Sequence, residues 1–394
     1  MNGSLSRSAL ACLGQKPPRS AAARLFAPDA LRGLIIVLMA LDHASIFVAH
    51  KHPPSEMWGG AFPIYYDDLA FLTRFVTHFC APGFFLLMGI GMALFSHSRQ
   101  EQNWSKGQIT RHFVIRGAAI IALKLLVVNR AWELMPGGWG VSIYIGVLFA
   151  LGANMILGSL LVWLKPAHLL GLTAFLLIGT ELLVPDPGQW GQGMGLLNRL
   201  FLVPGGIAGS GGQMLVWSNY PVLPWLELVA LGLAFGHWLA EDPDKAFSRA
   251  WKLGTAFLAV FLAVRALDGF GNIRPRMSDS WIDFLNPVKY PPSIAYTLMT
   301  TGVNLLALWL FSRAGKRLRT FAYPLVVFGR APLFFYAAHL FLYAGLGYVL
   351  APNGTSIPAM WPVWLLGLLI LYPLCLGYGR LKKSRPARAI LQYL

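Results

Sequence analysis

The chain has 394 residues, of which 56% are hydrophobic and 12% charged; a soluble domain carries nearer a quarter charged, so an ordinary water-soluble enzyme is excluded. Its formal net charge is +16, yet the Lys and Arg residues cluster between apolar runs and form no basic stripe with interleaved aromatics, so nucleic-acid binding is excluded too. Cys12, Cys80 and Cys375 are too scattered for a disulfide framework or a metal site, and no metal is expected.

Residues 1–25 are polar and Ser/Ala/Arg-rich, without the apolar core of a cleaved signal peptide. They read as a flexible basic cytoplasmic tail, and 381–394 as a second one, leaving 26–380 as one membrane domain. Apolar runs of the length a bilayer requires predict spans at 31–50, 72–96, 112–129, 140–164, 168–184, 222–240, 252–268, 293–312, 324–350 and 360–379. The division between the fourth and fifth is the least sharp. The fold class is therefore an all-α polytopic bundle of about ten transmembrane helices. With the amino terminus inside, 21 Lys and Arg residues fall on inner segments and 8 on outer ones, so both termini are expected in the cytoplasm. The outer segments 51–71, 130–139, 185–221 and 269–292 are rich in Trp, Tyr, Pro, Gly and Asp. These residues suit headgroup depth, and four such loops on one face also suit a platform for a polar substrate. The glycine run 205–212 has no Lys-Ser/Thr and follows no predicted strand, so it is no phosphate loop.

Ionisable side chains inside spans are costly and mark function. His43, His78, Glu227 and His339 come from four different spans. At a rise of ~1.5 Å per residue all four fall roughly 20–22 Å from the cytoplasmic surface. Histidine suits general-base work because its free pKa of ~6.5 lies near operating pH. Asp42 precedes His43 directly, but consecutive helical residues point about 100° apart. The orienting partner of His43 is thus expected on another helix, with Asp42 serving a different neighbour. Arg32 lies eleven residues before His43, on nearly the same helix face and about 16 Å lower. A cation near the cytoplasm in line with a deeper base suits coenzyme A, whose phosphates would be held at one end while a thin arm delivers the thioester. The same intramembrane groups also fit a transporter or permease for a polar or lipid-linked solute, although the two halves of the chain show no convincing internal repeat.

The segments LRGLIIVLMALDH, THFCAPGFFLLMG, PVLPWLELVALGLAFG, KYPPSIAYTLMTTG and FGRAPLFFYAAHL occur in this order. With them the chain resembles, from about residue 25 to 380, the bacterial membrane proteins related to heparan-α-glucosaminide N-acetyltransferase. The spacing of Arg32 and His43 is also similar to that of the wider transmembrane acyltransferase superfamily. The resemblance implies transfer of an acetyl group from cytoplasmic acetyl-CoA to a sugar amine or hydroxyl on the far side of a bacterial inner membrane. It implies His43 as base or acetyl carrier, Arg32 on a CoA phosphate, and His78 and His339 orienting the base or the acceptor. Asp42 joins the site. Glu227, Lys289 and Tyr290 are taken as substrate-binding residues, the last two at the outer mouth of the eighth span. Lysosomal members place the proposed catalytic histidine just beyond the first span, where this chain offers His50 and His52, so these and His78 stand as alternatives to His43. Membrane lipids, acyl-CoA and a glycan or amino-sugar acceptor are the expected partners, and a homo-oligomer is compatible with the sequence.

Overall fold

The computed structural model describes residues 25–53, 56–65, 67–184, 186 and 195–384. All but the last residue of the first tail, and 385–394 of the second, lie outside them. In chain order the elements are α1 (Phe26–Phe47), α2 (Asp68–Phe75), a 3₁₀ turn (Val76–Phe79), α3 (Cys80–Gln100), α4 (Lys106–Leu123), a π turn (Lys124–Val128) and α5 (Asn129–Glu133). Then come β1 (Val141–Ile145), α6 (Val147–Leu161), α7 (Pro166–Leu183), α8 (Leu196–Phe201), β2 (Gly205–Ala208), β3 (Met214–Ser218), α9 (Val222–Glu241) and α10 (Pro243–Leu267). The chain ends with α11 (Trp281–Phe284), α12 (Ile294–Ser312), α13 (Lys316–Phe321), α14 (Tyr323–Arg330), α15 (Pro332–Leu350) and α16 (Ile357–Ser384).

Among the described residues nine helical stretches are long and apolar enough to cross a membrane, and the 15-residue α6 is a shorter apolar helix. The span expected at 140–164 differs at its start. There the β-branched and aromatic run Val-Ser-Ile-Tyr-Ile, bounded by Gly140 and Gly146, favours an extended conformation. As β1 it pairs in parallel with β3, Val141 opposite Met214, and β3 pairs antiparallel with β2. This small sheet joins the start of that expected span to the segment 185–221, expected to be outer.

Two breaks position functional side chains. Pro82, three residues into α3, has no N–H to give the His78 carbonyl. The Tyr296 hydroxyl donates to that oxygen instead at 2.8 Å, and Asn304 Nδ2 donates to the Phe79 carbonyl at 3.0 Å. The freed backbone is thus satisfied by α12, as a break in a membrane helix requires, and the tightened turn at 76–79 carries His78. The single span expected at 324–350 is two helices, because Pro332 starts α15 after Ala331 leaves helical geometry (φ −125°, ψ 46°).

α1 is the central helix, packed against α3, α12, α14, α15 and α16. It approaches α14 and α15 backbone to backbone. A Cβ on Gly33 would overlap the Leu325 carbonyl, one on Gly329 the Asp29 carbonyl, and one on Gly347 the Phe47 carbonyl. Gly329→Ala forces α14 off α1, and overpacking of this kind costs about 1–3 kcal/mol. Its expected result is a lower melting temperature in detergent, whereas Gly345→Ala on α15, where a Cβ would meet nothing within 4 Å, leaves melting unchanged.

Candidate functional site

His43 on α1 and His339 on α15 form a buried pair, with His43 Nδ1 2.6 Å from His339 Nε2. His339 Nδ1 lies 2.9 Å from the Phe335 carbonyl, which can only accept, so that nitrogen carries the proton. In the neutral pair His339 Nε2 is then an acceptor and His43 Nδ1 the donor. The lone pair of the couple is left on His43 Nε2, which has no hydrogen-bond partner among the described residues. The edges of Trp132 and Tyr336, with ring centroids 5.5 and 6.3 Å away, hold the His43 ring in place.

Asp42 faces a second assembly centred on Arg74. The Arg74 guanidinium is bidentate to Glu56 (Nε to Oε1 2.8 Å, Nη2 to Oε2 2.7 Å) and its Nη1 donates to Asp42 Oδ1 at 2.6 Å. Thr77 Oγ1 donates to the same Asp42 oxygen at 2.9 Å. His52 Nε2 lies 3.0 Å from Arg74 Nη1, and His78 Nε2 3.2 Å from Glu56 Oε1. Burial raises the Glu56 carboxyl, and Arg74 and His78 more than reverse this, holding the acid well below its usual range. The backbone N–H groups of Lys289 and Tyr290 both donate to the Glu56 carbonyl, at 2.9 and 3.1 Å. Two distant loops are thereby clipped together over the site. Lys289 is buried with its ammonium 5.0 Å from the centre of the Tyr290 ring. Burial pushes its amine down to about 8, with Arg74 adding to the shift and Glu56 and Asp42 opposing it. The Tyr290 hydroxyl lies 3.0 Å from that of Tyr220.

Beside this network a cavity of about 460 Å³ is walled by Asp42, Tyr65, Thr73, Arg74, Lys51 and Ser356, among others. Two of its hydroxyls, Tyr65 Oη beside Arg74 and Thr73 Oγ1, are buried without a well-aligned hydrogen bond, and the Asp42 side chain is 19% exposed. Buried polar groups are normally satisfied, so these are groups with bonding capacity left for a polar ligand.

At the opposite end of α1, Arg32 bonds Asp29 Oδ1 at 3.0 Å and the Gly329 carbonyl at 3.1 Å, and Asp29 also pairs with Arg330 at 3.2 Å. Arg116 of α4 stands within electrostatic reach of Arg32, and its Nε is buried with no acceptor. Two cations are thus neighbours here, Arg32 engaged by Asp29 and Arg116 with one donor unmet.

The sequence-predicted residues thus separate. His43 and His339 touch; Asp42 and His78 join the Arg74 network with His52; Lys289 and Tyr290 close over that network. Glu227 lies apart, its Oε1 accepting from Thr297 at 2.8 Å and its Oε2 unpartnered. His50 takes a left-handed backbone (φ 54°) in the loop after α1. Sequence reasoning missed Glu56, Arg74 and Arg116. In the sequence the two cations read only as orientation markers, although Arg74 lies at the start of the second span and Arg116 ten residues into α4. Among the described residues no group of three His, Cys, Asp or Glu side chains is arranged to hold a metal ion.

No curated protein matches the chain. The family described as heparan-alpha-glucosaminide N-acetyltransferase, catalytic, matches residues 24–267. That stretch contains Arg32, Asp42, His43, Arg74, His78 and Arg116, whereas Lys289 and His339 lie beyond it. With more than half of its length matched, this multi-pass membrane protein belongs to the heparan-alpha-glucosaminide N-acetyltransferase catalytic-domain family.

Proposed function

We propose that the protein takes an acetyl group from cytoplasmic acetyl-CoA and delivers it to an amine or hydroxyl of a sugar on the outer side of a bacterial inner membrane. Both termini lie in the cytoplasm, as the positive-inside bias supports. The observation that carries this reading is the layout of α1. It bears a cation beside Arg116 at one end, a histidine with a free lone pair about 16 Å further on, and a carboxylate opening on a polar cavity.

Arg32 and Arg116 hold CoA phosphates, and the thin pantetheine arm lies along α1 with the thioester near His43. The acceptor sits in the cavity with its hydroxyl or ammonium groups on Asp42, Tyr65 and Thr73. His43 Nε2 takes the proton of the attacking nitrogen or oxygen as that atom bonds to the thioester carbon, and returns it to the leaving thiolate. His339 fixes the tautomer that makes this possible. His78 and His52 are held by Glu56 and Arg74 and act on the acceptor side through that scaffold, which favours His43 as base. Tyr290 borders the acceptor from the loop above.

Calorimetry of acetyl-CoA binding to the detergent-purified protein tests the donor end. Charged hydrogen bonds contribute about 1.5–3 kcal/mol, so Arg32→Ala and Arg116→Gln are each expected to weaken Kd about tenfold or more. The absence of saturable binding by folded wild-type protein would sink the reading and favour a permease.

A further inference from the structure

We propose that Lys289 is a catalytic residue whose ammonium group hydrogen-bonds the thioester carbonyl oxygen as it becomes an oxyanion. The inference rests on the acyl-transfer reading and adds to it the group that stabilises the transition state.

Lys289 is 4% exposed, and its Nζ has no hydrogen-bond acceptor among the described residues. The Tyr290 ring and the two backbone bonds to Glu56 fix its position. It lies within electrostatic reach of His43 and Asp42 on α1, Glu56 in the loop after it, Arg74 on α2, His78 on the 3₁₀ turn and Cys80 at the start of α3. It is thus near both the base and the acceptor carboxylate. The two carboxylates beside it are already engaged by Arg74. A buried ammonium lacking an acceptor is costly unless an acceptor arrives, and a preorganised donor without a ground-state partner is what developing negative charge requires.

In the step itself, the acceptor nitrogen or oxygen bonds to the thioester carbon and its proton passes to His43 Nε2. The carbonyl π pair moves onto oxygen, where the Lys289 ammonium meets it. Collapse re-forms the carbonyl and breaks the carbon–sulfur bond, and the thiolate takes the proton back from His43. Lys289 donates a hydrogen bond throughout and transfers no proton.

The reaction then needs His43 unprotonated and Lys289 protonated. With burial pushing the Lys289 amine down to about 8, the rate falls as pH rises through that value. Hydroxylamine, a small nucleophile independent of the sugar cavity, serves as probe acceptor, and release of CoA thiol from acetyl-CoA is followed with wild type, Lys289→Met and Lys289→Arg. Lys289→Met is expected to lower kcat about 10²–10³-fold, with acetyl-CoA Kd within about twofold of wild type by calorimetry, and to lose the alkaline fall. Lys289→Arg keeps a donor that stays charged; it restores part of the rate and moves the fall to higher pH. A Lys289→Met kcat within about threefold of wild type, or an effect confined to the KM for hydroxylamine, overturns the oxyanion role and leaves acyl transfer standing. Wild type that binds acetyl-CoA yet releases no thiol above the enzyme-free background overturns both.

Discussion

His43→Ala is expected to abolish acyl transfer while acetyl-CoA still binds with wild-type affinity. Positioned general bases contribute about 10²–10⁴ in rate, and His43 Nε2 is the lone pair that the hydrogen bonding of the pair leaves free. The phosphate end of the proposed donor site, at Arg32, lies about 16 Å away on the same helix, so calorimetric Kd and single-turnover rate should separate cleanly. The cavity left by alanine lies between Trp132 and Tyr336 and is of a size to admit imidazole, which is expected to restore part of the rate. His339→Ala should give a smaller loss, since it removes the group that fixes the tautomer and keeps the base itself. Near-normal turnover in His43→Ala would transfer the role to another group, with His52 next in line because it shares the Arg74 and Asp42 contacts.

The helices were legible because their determinants are local. Apolar runs of bilayer length locate them, and all ten predicted spans contain helix. The interruptions were less legible because their causes are tertiary. Pro82 alone does not say that Tyr296 and Asn304 will donate to the carbonyls of His78 and Phe79, and Val141–Ile145 becomes a strand because β3 lies beside it. For the site, helical period and depth separate Asp42 from His43 and place His43 level with His339. They cannot reveal Arg74 at the centre of its network, since its partners Glu56 and Asp42 lie 18 and 32 residues away in sequence. They also align Glu227 with the histidines by depth, whereas the structure places it beside Thr297, because depth fixes height in the bundle and leaves azimuth open.

Arg74→Met is expected to be the most destabilising change in the network around Glu56 and Asp42. Removing this guanidinium leaves Glu56, whose side chain is 0% exposed, with His78 as its remaining side-chain partner, and leaves Asp42 with Thr77 and His52. Breaking a buried pair from one side costs about 3–5 kcal/mol, chiefly through the charge left behind. Thermal melting in detergent should therefore show a large drop for Arg74→Met and a smaller one for Arg74→Met/Glu56→Gln, in which one of the two orphaned charges is gone. A double variant as unstable as the single would mean that packing, not charge, makes Arg74 essential. The same pair predicts a pH dependence. The folded-state pKa of Glu56 is depressed, so its stabilising contribution is complete above the unfolded carboxyl pKa of ~4.3. It declines as pH falls below that value and through the folded one. Wild-type protein should lose melting temperature in this acid window. Glu56→Gln should be less stable at neutral pH, where Arg74 loses half of its counter-charge, and should respond less to acid, because the group that titrates there has been removed.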